Sequence, residues 1–221
     1  MRPMFLLESG ESSGGVSLRS LFDGGPVAIA RSRLTLGDVA FLTCRGGWPK
    51  AVGQPKELAL QQAQDYVDAV VESDISRVDG VRRDPERVCM LMRSYARMTA
   101  SQGSYETMLR DVKKSGLSFG RASFLEYVAA LKRLFVTDDL GWNPNLCAKE
   151  DIRTFPTRHF VDPSIATAAL GAGPGDLMGD LNTFGLVFES LCVSSQSECD
   201  VKICVVFASE ASYDSSRMRG G

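Results

Sequence analysis

Five side chains in this chain of 221 residues are candidates to contact DNA or a protein partner. Lys113 and Lys114 end one helical stretch, and Arg121, Tyr127 and Arg133 lie on the next, at positions read as exposed. Between Arg77 and Arg133 there are twelve Lys/Arg against six Asp/Glu, a local excess of six cations in a chain of net charge −2. Phosphate contacts need such an excess, and so does docking on an acidic protein partner. Only Arg121 and the Lys113-Lys114 pair fall where a recognition helix would present them, so the pattern supports backbone contact better than base reading.

Other reactive residue types are present without a catalytic spacing. The six cysteines (Cys44, Cys89, Cys147, Cys192, Cys199 and Cys204) include no Cys-x-x-Cys pair, and His159 is the single histidine. That argues against a zinc site, and the cysteines read as reduced thiols. Asp65, Asp68 and Asp74 are spread around one long helix off its apolar stripe, the pattern of a solvated face rather than a catalytic cluster. Gly171-Ala-Gly-Pro-Gly175 is not followed by Gly-Lys-Ser/Thr, so it stops a helix and is not a phosphate loop. Trp48, between Gly47 and Pro49, reads as an anchor packing a loop on the core, with ligand stacking as the alternative.

The elements that must position these residues follow from hydrophobic period and punctuation. Apolar residues make up 44% and charged residues 24%, ordinary for a globular protein, and no apolar run approaches the roughly 20 residues that cross a bilayer. The pI near 5.6 gives no global case for nucleic acid or membrane. Residues 1–7 lack the length and cleavage site of a signal peptide, which makes the cytoplasm the default location. The apolar run over 4–7 is expected either to be frayed or to be one strand of a larger sheet, since a lone strand is not stable, and a brief amphipathic stretch covers 16–22. Helices are expected from Thr35 to Arg45, over 56–78, from Asp84 onward, and over 104–114. A further helix over 119–135 is capped by Ser118, and apolar runs follow at 134–136 and 159–161. Asp162-Pro163-Ser164 opens the next helix, 176–193 forms another, 199–207 reads as a strand, and 208–221 as a disordered tail. Helix, tight turn, helix and β-ribbon over 104–162 is the order of a winged helix-turn-helix. The fold class is therefore α+β, mainly helical.

Several segments together carry a family resemblance. They are Arg2-Pro-Met-Phe-Leu-Leu-Glu-Ser-Gly-Glu-Ser12, Cys44-Arg-Gly-Gly-Trp-Pro49, Tyr66-Val-Asp-Ala-Val-Val-Glu-Ser-Asp-Ile75 and Arg93-Ser-Tyr-Ala-Arg97. Trp142-Asn-Pro-Asn145, Phe160-Val-Asp-Pro-Ser-Ile-Ala166 and Phe184-Gly-Leu-Val-Phe-Glu-Ser190 complete the set. In this order the chain resembles the C-terminal two-thirds of a bacterial and archaeal family of AAA-type P-loop ATPases that carry a domain of unknown function. The resemblance implies a remnant of the ATPase module and its helical lid over 1–49, a helical and winged-helix region over 50–162, and a partial nuclease-like α/β domain over 163–207. Glu189 and Asp200 match two metal-holding acids of such a nuclease, but the expected Glu-x-Lys after Asp200 is missing, since Glu210-Ala-Ser212 has no lysine. A metal-dependent nuclease needs further acids and a cation, so helix-surface and strand-edge carboxylates are the better reading. The nucleotide loop and the Mg²⁺-holding acids would lie before Met1. ATP and Mg²⁺ therefore belong to the intact family member, and this chain is expected to be a non-hydrolysing fragment. Its partners would be DNA, ATPase subunits or a second copy, without a membrane. A weak metal-dependent nuclease and a structural docking subunit for a separate ATPase are the alternatives.

Overall fold

The computed structural model describes residues 3–15, 23–25, 32–141 and 155–196, and these are mainly helical. Helix α1 (Leu36–Arg45) begins at Thr35, as expected. The Thr35 hydroxyl accepts from the Asp38 N–H and the Asp38 carboxylate accepts from the Thr35 N–H, so two donors that a helix start leaves open are satisfied reciprocally. Helix α2 (Lys56–Ala69) buries Ala59, Ala63 and Val67, then passes through a π-helical turn, Val70–Asp74, into a last short turn, Ile75–Arg77. The helix expected over 56–78 is thus one path with a change of pitch. The wider turn brings Val70 and Ile75, five positions apart, both into the core.

Helix α3 (Pro85–Ala96) has the expected Asp84 cap, and α4 (Tyr105–Lys114) the expected Ser104 cap. Helix α5 (Arg121–Arg133) starts at Gly120 rather than Ser118 and ends at Arg133 rather than Phe135. The late start has a packing cause: Phe119 is buried edge-on against Phe124 and Tyr127, so the chain enters the core before the helix begins. At the other end Phe135 takes φ +56°, and the Val136 N–H donates to Leu131 O. This left-handed cap is usually a glycine position, and here it buries Val136 while Phe135 stays 79% exposed.

Strands expected at 134–136 and 159–161 are present only as isolated bridges. Thr137 pairs antiparallel with Phe160, Leu140 antiparallel with Thr157, and Thr99, between α3 and α4, pairs parallel with Arg158. Residues 4–7 do not form a strand either: Met4 makes one backbone bond, to Gly47 O at 2.7 Å, and the chain turns from Leu6. The expectations for 16–22, Trp142-Asn-Pro-Asn145, Cys147, 199–207 with Asp200, and the tail lie outside the described residues.

Helix α6 (Pro163–Leu170) packs against α1, α2 and α3, which its buried small residues Ser164, Ala166 and Thr167 allow at close range. Helices α7 (Pro174–Gly179) and α8 (Leu181–Gln196) replace the single helix expected over 176–193. The break falls at Asp180, whose carboxylate accepts from the Asn182 and Thr183 N–H groups and so caps α8. Leu91, Met92 and Tyr95 of α3 meet Phe124 and Leu131 of α5, with Phe160 and Ile165, in one buried cluster.

Candidate functional site

Among the described residues, buried polar side chains tie distant segments together, Arg45 to Glu11 for one and three larger groups besides. In the first, Asp162 caps α6, and its Oδ1 accepts from the Ser164 N–H at 2.8 Å and the Ser164 hydroxyl at 2.5 Å. Its Oδ2 accepts from the Gly47 N–H at 2.8 Å, and Trp48 Nε1 donates to Ser164 Oγ at 2.9 Å. Burial pushes the Asp162 carboxyl above its ordinary range, against the pull of these donors. Trp48 is therefore an anchor, with its ring 4.6 Å from that of Tyr66. Gly46 and Gly47 are required by close approach. A Cβ on Gly46, which has φ +70°, would lie 2.4 Å from Asp162 Oδ1, and one on Gly47 2.1 Å from Met4 O.

The second tie centres on Arg158, 2% exposed. Its Nη1 meets Asp139 Oδ2 at 2.6 Å, its Nε donates to Gly103 O at 2.9 Å, and its guanidinium lies 4.2 Å from the Tyr105 ring centroid. Tyr95 donates its hydroxyl to the other Asp139 oxygen, and Lys132 reaches Asp139 at 2.9 Å. Burial first, and then Asp139, push the Tyr95 phenol far up, so it stays a donor. In the third tie, Arg83, 5% exposed, grips Asp79 with two bonds of 2.7 Å, and Arg133 joins Asp79 at 2.8 Å.

His159 is 2% exposed, with Nδ1 2.8 Å from Ser190 Oγ and Nε2 without a partner among the described residues. It lines a cavity of about 50 Å³ shared by residues 3–6, Arg45, Asp138 and Ser194, large enough for a water. Burial pushes its imidazole below the usual range, with Asp139 and Asp138 opposing. Cys44 is buried, and desolvation pushes its thiol up to about 11; Cys89 is exposed and Cys192 half-buried. Glu189 is half-buried on α8, and desolvation raises its carboxyl. Among the described residues no three His, Cys, Asp or Glu come together as a metal site. Asp65 and Asp68 are exposed, each accepting from a glutamine one turn earlier.

The cationic residues fall into three groups. Lys113 and Lys114 are exposed at the end of α4 and make no ion pair among the described residues. Arg121 is exposed at the start of α5 and reaches back to Glu106 of α4 at 2.8 Å. Arg133 is half-exposed at the far end of α5 and is held by Asp79. Tyr127, expected to be exposed, is buried: it is 8% exposed, its hydroxyl accepts from the Asp84 N–H at 3.0 Å, and Arg83 lies over its ring. The sequence reading counted it among the exposed positions, yet it lies three residues after Phe124 and four before Leu131 on the buried side of α5, packed against Phe119. Arg110, one turn before Lys113-Lys114 and exposed, was not singled out from sequence, although its i, i+3, i+4 spacing to them was readable. Arg158 was also passed over, and its one signal was an arginine beside an apolar run.

No curated protein and no solved structure matches the chain. A family model does match, over residues 36–176, a span that takes in α1 through α6 together with the Gly47–Asp162 and Arg158–Asp139 ties, and so the chain belongs to the family described as a domain of unknown function (DUF8612).

Proposed function

We propose that this chain is an interaction module, part of an AAA-type ATPase architecture, whose winged-helix unit contacts DNA. The order α3, Thr99 bridge, α4, α5, then two runs bridged at Thr137–Phe160 and Leu140–Thr157 supports a winged helix. The observation that carries the contact is the exposure of Lys113 and Lys114 at the end of α4 and of Arg121 at the start of α5, in a chain of net charge −2. Nucleotide and Mg²⁺ belong, in this reading, to the ATPase module, and residues from 163 onward to a nuclease-like region. Glu189 alone does not supply metal chemistry there.

A second reading, docking on a protein, is favoured by the outer face of α5, where Ala122, Leu125 and Ala129 are exposed in a row. The deciding measurement is anisotropy of a labelled 20-base-pair duplex. Binding at 50 mM salt that weakens steeply by 200 mM is expected. No binding at tens of micromolar protein in low salt would reject DNA contact and leave the docking reading.

A further inference from the structure

We infer that the outer face of α4, and not α5, holds the duplex, by its phosphates and without reading sequence; this rests on the DNA-contact reading above. On α4, Glu106, Arg110, Lys113 and Lys114 follow i, i+4, i+7, i+8 and are all exposed, so they form one stripe. Glu106 is already taken by Arg121, and Asp111 is taken by Arg97, just past the end of α3, at 3.1 Å. With both carboxylates neutralised by residues outside α4, Arg110, Lys113 and Lys114 have no ion-pair partner among the described residues, and neither has exposed Arg93, one turn before Arg97.

Helix α5 has the opposite character. Its exposed positions are Ala122, Leu125, Glu126 and Ala129, and the cations at its ends are all engaged: Arg121 with Glu106, Lys132 with Asp139, Arg133 with Asp79. A helix laid in the major groove needs side chains that bond to base edges, and this one offers methyl groups and a carboxylate. The α4 face also lacks what a protein interface needs at its centre. No large hydrophobic side chain of α3 or α4 is exposed among the described residues. Uncompensated cations without apolar neighbours match a phosphate backbone.

The test uses the full chain, two 20-base-pair duplexes of unrelated sequence and polyglutamate. The wild type binds both duplexes equally, and its affinity falls about 10²-fold from 50 to 200 mM salt if four phosphates are neutralised. The triple variant Arg110→Ala/Lys113→Ala/Lys114→Ala loses at least tenfold in affinity, and its log–log salt slope shrinks by about 2 to 3. Leu125→Glu/Ala129→Glu binds within about twofold of wild type, with thermal unfolding confirming that each variant folds. If the α5 variant abolishes binding and the α4 variant does not, or if one duplex is strongly preferred, the α4 assignment falls while DNA contact stands. Binding to polyglutamate but to neither duplex overturns both and makes the partner an acidic protein.

Discussion

The Gly47 N–H donates to Asp162 Oδ2 at 2.8 Å across 115 positions of sequence, and this bond joins the end of α1 to the start of α6. Gly47 also accepts from the Met4 N–H, so three distant segments meet on one residue. Asp162→Ala leaves the Gly47 and Ser164 N–H groups buried without an acceptor. Loss of two such bonds is expected to cost about 2–4 kcal/mol, read as a lower urea midpoint with unchanged slope. Gly47→Ala forces the Met4 backbone away, so protease cleavage near residues 3–15 should quicken. A midpoint unchanged by Asp162→Ala would show that the tie is not structural.

His159 makes stability depend on pH with a definite sign. Burial depresses its folded pKa below the unfolded value near 6.5, so the native state holds it neutral while the unfolded chain takes up a proton. Its contribution is fully present above about pH 6.5 and is lost as pH falls through that value toward the folded pKa. Asp162 and Glu189, whose carboxyls are pushed up, add their own pH dependence, so the histidine's share is the difference between wild type and His159→Gln in unfolding free energies measured from pH 7.5 to 5.5, and the variant should show a flatter decline. A decline of equal steepness in the variant would assign the effect elsewhere.

Arg158 and Asp139 are a buried pair whose removal should be asymmetric. Arg158→Met strands Asp139, which is 8% exposed, with Lys132 as its cationic partner, and a cost of about 3–5 kcal/mol is expected. Arg158→Met/Asp139→Leu should recover a large part of that loss, because the uncompensated carboxylate is gone. Additive losses in the double variant, measured by denaturation, would mean the two side chains act independently.

Thiol labelling should separate two cysteines in the folded protein. Cys89, exposed on α3, should be alkylated within minutes at pH 8. Cys44, buried and with its thiol pushed up to about 11, should react only on unfolding. Peptide mapping after timed iodoacetamide treatment checks this, and early labelling of Cys44 would show that α1 opens in the native state.

The sequence by itself determined where most helices start. Thr35, Asp84, Ser104 and Asp162 cap as read, because a capping side chain acts within three residues of itself. It also determined the cationic excess around α4 and the solvated acids of α2. It did not determine which exposed position turns inward. Tyr127 was read as a surface contact, yet Phe119 and Arg83, eight and forty-four positions away, enclose its ring. Nor could local pattern join Gly47 to Asp162 or Arg158 to Thr99, since nothing in either segment names its partner. Tertiary structure alone decided which carboxylates neutralise which cations. Arg121 of α5 with Glu106 and Arg97, just past α3, with Asp111 are contacts across the packing, and by consuming those acids they leave Arg110, Lys113 and Lys114 without an ion-pair partner among the described residues. Charge composition is additive along a chain, whereas charge compensation depends on distances of a few ångströms that only packing sets.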